Sequence, residues 1–333
     1  MYVIKKIEDL AKYKNIINEK VKKENFQFTY ENLYALHKAN NSIFTFIKNV
    51  GKDVMITSFK IGRENSYECC MDREPIYGLN DEKKLIKFLE EIKKYIGADT
   101  LYFPLIYENS LFYKLANRNL MFIKYKRLYT SIIETNKVDL KRNFLDNNRI
   151  NRFKKNCYIE YINGKDCKEI ISKIEESSWK HNVGQDMLTK KDKFIYYNEI
   201  ISQGIAWLVV ARKLENDEPI AYRIEVIENG NLIFLKTSFD SKFEKLSAGT
   251  FLATYDLLHH YLSIENIKSI DLYGGPSIWK AFEETSRINR YDFCLGNEYT
   301  INKIRENRIN WDKKNYEIFL ERKSQKKIYK EFL

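Results

Sequence analysis

One pattern occurs twice in this 333-residue chain, and that recurrence constrains the fold more than any other feature. Apolar spacing predicts a long helix, a strand, a short helix and a strand beginning near residues 82, 100, 110 and 120. The same four elements are predicted near 247, 267, 277 and 290, an offset of about 165 to 170 residues throughout. The short helices even share wording, N-S-L-F-Y-K-L-A at 109–116 and P-S-I-W-K-A-F at 276–282. Helix–strand alternation recurs in any α/β protein. A constant offset over four elements points instead to an internal duplication.

The remaining elements fit two copies. Helices are predicted at 7–22 and 28–39 and strands at 42–49 and 53–61, ahead of the amphipathic helix that starts at Asp81. In the second half, helices at 166–180 and 189–203 precede strands at 205–213, 219–227 and 231–239. Between the halves lies a basic helix, 139–156, carrying Lys141, Arg142, Arg149, Arg152, Lys154 and Lys155 over a stripe of Leu140, Phe144, Leu145, Ile150 and Phe153. Its charged face is either solvated or meets a polyanionic ligand. The fold class expected is α/β (α+β), with a first domain at 1–135, a basic connector at 136–156 and a second domain at 157–333. A Lys/Arg-rich helical stretch at 301–333 closes the chain.

Lys and Arg number 57 against 46 Asp and Glu, a formal +11. That excess suits a nucleic-acid partner, an enzyme whose ligand carries phosphates, or plain solvated faces. Five cysteines without a C-x-x-C pair, and four histidines without H-E-x-x-H spacing, predict neither a disulfide framework nor a metal site. No window resembles a membrane span or a secretory leader, so the expected location is the cytoplasm.

The two long helices differ at their starts. A helix N-terminus offers unpaired N–H groups and positive potential to an anion, provided that its first turn is small and free of carboxylates. The second-half helix opens Lys245-Leu246-Ser247-Ala248-Gly249-Thr250, with small residues, two hydroxyls and a lysine. The first-half helix opens Gly78-Leu79-Asn80-Asp81-Glu82, where two carboxylates already meet the dipole and repel phosphate. Only the second copy is expected to cradle phosphates. The alternative is that Ser247 is an ordinary N-cap and Gly249 incidental.

The order helix, helix, three strands, phosphate-binding helix, strand, helix, strand resembles the GNAT acyltransferases. In those enzymes the pantetheine of acyl-CoA lies on a splayed central strand, with its pyrophosphate on the next helix. The chain looks most like tandem members of the CelD-like and Fem-like types. Their pattern "Y/F-D-x-x-F/Y-x-x-x-x-P-G", then "D-x-G-x-G", then a "Y-K" helix, is matched by Phe239 through Gly249, by Asp271-Leu272-Tyr273-Gly274-Gly275 and by Trp279-Lys280-Ala281-Phe282. Glu176-Ser177-Ser178-Trp179-Lys180 resembles the helix that opens such domains. The resemblance spans most of the chain and is strongest in 139–296.

It implies two tandem GNAT-like domains, each a mixed, mainly antiparallel sheet flanked by helices. It further implies an N-acyltransferase moving an acyl group from acyl-CoA, such as acetyl-CoA, to a small-molecule or peptide-like amine: an amino sugar, amino acid or peptide. Lys236, Thr237 and Ser238 on strand 231–239 would hold pantetheine, and residues 245–250 the pyrophosphate. Lys280 would lie near the transferred acyl group. Ala248 stands where the family often has proline, and Trp279 where simple GNAT enzymes often have a tyrosine acid. Tryptophan cannot protonate a thiolate, so that role is absent or moved, with Tyr273 the candidate. The first copy keeps Tyr113-Lys114 but lacks the cradle, which suits a degenerate domain shaping the acceptor pocket. Two alternatives stand beside this: a Fem-type transferase using aminoacyl-tRNA, favoured by the +11 charge and the basic helix, and a non-catalytic scaffold.

Four further residues carry open readings. Arg223 and Glu225 share one face of a strand, as a structural ion pair or as acceptor-binding groups, with Glu225 the candidate general base. His181, beside Trp179, either lines the acceptor site or is a surface histidine. Asp271 either borders the cleft or packs its turn. His259 and His260 read as structural, and Trp207 and Phe251 as core.

Overall fold

The structure is a computed structural model that describes residues 1–50, 53–63, 65–138, 145–262, 264, 266–275, 280 and 283–320, with side chains as far as 310. The first half contains β1 (Tyr2–Ile4), α1 (Ile7–Leu10), α2 (Lys14–Lys20), α3 (Tyr30–Ala39), β2 (Ile43–Val50), β3 (Asp53–Ile61), β4 (Ser66–Cys69), α4 (Glu82–Ile96), β5 (Thr100–Tyr107), α5 (Leu111–Ala116) and β6 (Phe122–Glu134). The connector is α6 (Asn147–Asn156). Then follow β7 (Cys157–Ile162), α7 (Lys168–Glu176), α8 (Trp179–Asn182), α9 (Lys191–Ser202), β8 (Trp207–Lys213), β9 (Pro219–Glu228), β10 (Asn231–Phe239), α10 (Ala248–Phe251), α11 (Leu257–Tyr261), β11 (Ser269–Asp271), β12 (Ser286–Gly296) and α12 (Glu298–Leu320).

Local rules account for most of these elements. In α4, Leu85, Phe88, Leu89 and Ile92 recur at helical spacing and are fully buried; Asp81 caps the start and Gly97, at φ 66°, ends it. In β8, Leu208 through Ala211 are all fully buried, because helices cover both faces of the sheet there. Trp207, which the sequence suggested as core, is the exception: it opens β8 and is 38% exposed. Phe251 is buried as expected, stacked on Phe153 at 3.8 Å.

Among the described residues twelve strands join one mixed, mainly antiparallel sheet in the order β1-β2-β3-β4-β5-β12-β6-β11-β10-β9-β8-β7. Its two parallel pairings fall at the same point of each half, β4 with β5 and β10 with β11. The fold is two tandem units of like strand order, α/β in class. The last strands are exchanged: β12 pairs with β5 (Leu295 opposite Leu101), and β6 pairs with β11 (Ile132 opposite Asp271). The centre of the sheet therefore belongs to both halves. Of the predicted basic helix, 147–156 is helical, and residues 139–144 lie outside the described residues.

Candidate active site

The candidate site opens where β10 and β11 part. They pair only from Asn231 opposite Ser269 to Ile233 opposite Asp271; β10 then runs on to Phe239 through a bulge between Phe234 and Lys236. In the first half the equivalent gap is closed. The chain after β4 returns to β5, with Arg73 N–H donating to the Leu105 carbonyl and Tyr107 N–H to that of Arg73, both at 3.3 Å.

The helix starts diverge in the same sense. Asp81 accepts the Lys84 N–H at 2.9 Å, filling the first-half N-terminus with a carboxylate. Ser247 sits in the left-handed region (φ 55°) and makes no side-chain cap. Among the described residues, the N–H groups of Ala248, Gly249 and Thr250 meet no acceptor. Gly249 is tight for a packing reason as well: a Cβ there would lie 2.9 Å from the Phe239 ring. Beside this turn runs a groove of about 540 Å³ whose lining includes Lys155, Lys213, Lys242, Lys245 and Leu246, with Glu215 3.2 Å from Lys213. Arg152 of α6 ties the connector to it, donating to the Lys245 carbonyl at 3.0 Å.

Beyond the first turn the helix is irregular. Residues Leu252–Asp256 form a π segment between α10 and α11. The Arg223 guanidinium donates to the carbonyl of Leu252, the first residue of this segment.

Asp271 and its neighbours gather at the mouth of the gap. Asp271 accepts from Tyr107 Oη at 2.6 Å, Thr130 Oγ1 at 3.0 Å and the Tyr273 N–H at 2.8 Å. Tyr273 follows at φ 36° with Gly274 at 76°, and its hydroxyl donates to Asp72 Oδ2 of the first half. Burial, and then the Asp72 charge, hold that phenol well above its ordinary range. Lys280 donates to the Tyr273 carbonyl. Burial first, and then Arg290, push its ammonium down to about 7.

Across the gap, Lys180 of α8 donates to the Thr237 carbonyl of β10. His181 is exposed at 3.4 Å from the buried Asp186. Glu175 accepts from Tyr222 Oη and, at 2.7 Å, from the Met187 N–H. The Ser238 hydroxyl is buried and meets no partner among the described residues. Desolvation and the neighbouring Lys190, Lys236 and Lys60 push the Lys193 ammonium down to about 8, so lysines from both halves share this region.

Residues 173–281 match the family model of the acetyltransferase (GNAT) domain. The chain is similar in structure to L-PGS from Bacillus licheniformis at 11% identity, covering 90% of this chain and 94% of that one with a TM-score of 0.60. FemX gives 10% identity, 91% and 99% coverage and 0.59. A tandem GNAT protein from the clavulanic acid biosynthesis pathway gives 9% identity, 86% and 94% coverage and 0.51. Residues 173–281 are a GNAT-type domain, set in a fold shared with these structures. Comparison of the sequence with curated proteins finds no match.

In this GNAT-like frame the sequence-predicted residues separate into two groups. Tyr273, Lys280 and Asp271 come together at the gap, near β10 with its Lys236, Thr237 and Ser238; residues 245–250 form the turn below, and α8 brings Trp179 and His181 to the other side. Arg223 and Glu225 lie elsewhere. Both are fully buried and 2.5 Å apart, with Tyr261 donating to Glu225 and Asp256 3.1 Å from Arg223. Alternation along β9 sends them under α10 and α11, whereas Tyr273 packs with Val226 on the opposite face. Trp279 and most of the short helix predicted at 277–284 lie outside the described residues.

Asp72, Arg73 and Lys193 were not singled out by the sequence. Asp72 and Arg73 follow β4, a four-residue strand too short to leave a periodic signal. Among the described residues no cluster of three or more His, Cys, Asp or Glu could hold a metal ion, and no helix is long and apolar enough to cross a membrane.

Proposed function

We propose that the protein transfers an acyl group from acyl-CoA to an amine by direct attack of the amine on the thioester. The observation that carries this is the contrast between the two helix starts: three free N–H groups at Ala248–Thr250 against a carboxylate-filled turn at Asp81. In this reading the pyrophosphate sits on residues 245–250, and the pantetheine runs along Lys236–Ser238 of β10 in the open gap. The thioester reaches Tyr273 and Lys280. Holding amine and thioester together supplies most of the acceleration, on the order of 7–11 kcal/mol for well-oriented reactants.

Under this proposal the first domain, 1–135, shapes the acceptor side, the connector 136–156 borders the donor groove, and 157–333 binds the donor. Trp179 and His181 of α8 border the acceptor. The lysines around Lys193 favour an acceptor that carries negative charge besides its amine. Glu225 and Arg223 hold the sheet to the helix above it.

The Fem-type reading, with aminoacyl-tRNA as donor, is favoured by the groove of Lys155, Lys213, Lys242 and Lys245 along α6, which offers a track for a phosphate backbone. Titration with CoA, and separately with tRNA at about 50 mM and about 200 mM salt, separates the two. The CoA reading expects saturable binding of CoA. Weak CoA binding with tRNA binding that collapses at the higher salt would move the donor to tRNA.

A further inference from the structure

We propose that the turn between α5 and β6 docks this protein on an anionic lipid bilayer, with Leu120 and Met121 entering the acyl region and the cations around them meeting the headgroup phosphates. The inference is independent of the donor and adds an interaction surface on the first half.

Residues 109–133 hold no Asp or Glu, but they hold Lys114, Arg118, Lys124, Lys126 and Arg127. Arg127 is paired, 2.6 Å from Asp292. Lys114, Arg118, Lys124 and Lys126 are exposed, and among the described residues none of them lies in a salt bridge. Lys124 donates to Asn117 Oδ1 and stands 5.7 Å from the ring centroid of Tyr113 and 5.5 Å from that of Tyr291, so rings rather than a carboxylate face its charge. One carboxylate touches the turn among the described residues: Glu82 accepts from Asn119 Nδ2 at 2.8 Å.

The turn is held from both sides. Ala116 ends α5 and Phe122 opens β6, and both are buried in the first-half core. Between them the Asn119 side chain accepts the Met121 N–H at 2.9 Å, and the Asn119 carbonyl accepts the Phe122 N–H at 3.2 Å. That geometry leaves Leu120 101% exposed and Met121 48%. Alternation then turns Ile123, also exposed, to the face opposite Phe122. Tyr299 comes to the same end of the sheet. β12 ends at Gly296, beside the Leu295–Phe122 pair, and α12 starts at Glu298, with Tyr299 exposed and Lys303 4.7 Å from its ring centroid.

Single exposed apolar residues are ordinary. Here an aliphatic pair tops a hydrogen-bonded turn, with Arg118 in the turn itself and Lys124 bonded back to it. That is what an interfacial anchor needs: an apolar tip to enter hydrocarbon and cations held at headgroup depth. RNA would satisfy the cations, but it offers its bases to aromatic rings and arginine planes, not to Leu120 and Met121.

The test is cosedimentation of the full chain with vesicles of equal parts phosphatidylcholine and phosphatidylglycerol, and of phosphatidylcholine alone, at about 0.1 M salt. Binding is expected to the first and not to the second. Leu120→Ser/Met121→Ser is expected to lower the partition coefficient roughly tenfold or more, and Lys114→Gln/Arg118→Gln by a similar factor. These positions are exposed, so both variants should keep the wild-type melting temperature, which separates lost docking from lost folding. No binding of the wild type to the anionic vesicles overturns the proposal. So does binding that Leu120→Ser/Met121→Ser leaves unchanged, which would put the attraction in charge alone. Binding of a duplex RNA that Lys114→Gln/Arg118→Gln abolishes, with no vesicle binding, would make this a nucleic-acid surface instead.

Discussion

At the scale of single residues, one carboxylate separates the two helix starts: Asp81 accepts the Lys84 N–H at 2.9 Å, and Ser247 makes no side-chain cap. Asp81 and Ser247 could be compared because capping is local, and the structure fills one turn with a carboxylate and leaves the other open. Arg223 and Glu225 were legible as a pair on one face, but not which face, because that depends on Tyr261 and Asp256 arriving from a later helix. Replacing Arg223 by Met strands the Glu225 carboxylate and should cost roughly 3–5 kcal/mol, while the Arg223→Met/Glu225→Met double variant recovers most of it. Urea denaturation of the three proteins checks this, and a double variant less stable than the single one would contradict it. His37 adds a pH dependence. It is buried with Nε2 2.9 Å from Thr45 Oγ1, and burial pushes its pKa down to about 4. Between there and the ordinary value of about 6.5 the unfolded chain holds a proton that the folded one does not. Its contribution to stability is therefore present above pH 6.5 and lost as pH falls toward 4. His37→Gln should flatten the slope of urea midpoint against pH across that window; an unchanged slope would contradict the assignment.

At the scale of elements, long periodic segments were read well and short or interrupted ones were not. The strands predicted at 205–213, 219–227 and 231–239 match β8, β9 and β10 to within two residues, because alternation and flanking turns mark them. β1, β4 and β7 were not predicted: β1 and β4 are three and four residues long, too short to leave a periodic signal. The π segment was equally hidden, since its contact with Arg223 of β9 joins residues 29 apart in sequence. The two ends of the loop and helix that lead through α4 offer a test of backbone demands. Gly97 is left-handed with open space around it, so Gly97→Ala should cost about 1 kcal/mol. Gly78 is also left-handed, and its Cβ would fall 1.9 Å from the Val54 carbonyl oxygen. Gly78→Ala should lower the melting temperature well beyond Gly97→Ala. Equal losses would show that the Gly78 turn adapts.

At the scale of the whole molecule, the duplication was legible and the strand exchange was not. A constant offset reveals two copies, but nothing in it says that β6 and β12 cross to the other copy's sheet. The consequence is cooperative: residues 1–135 alone expose β5 without β12, and 157–333 alone expose β11 without β6. The full chain should melt in one transition by circular dichroism, and each fragment should lack a cooperative melt until the two are produced together. A fragment that melts cooperatively alone would contradict this. The exchange also ties Asp271 of β11 to Tyr107 of β5 and Thr130 of β6, so the turn bearing Tyr273 is set by both halves. The division of labour proposed for the copies rests on one local difference at their helix starts, and one measurement addresses it. Thr250→Glu puts a carboxylate into the first turn of α10, as Glu82 does in α4, at a half-buried position that avoids the Phe239 contact of Gly249. Calorimetric titration with CoA should give saturable binding to the wild type and none to Thr250→Glu, with the variant's melting temperature unchanged or raised because the carboxylate meets the helix dipole. Equal CoA binding by both proteins would contradict the placement of the donor on this helix.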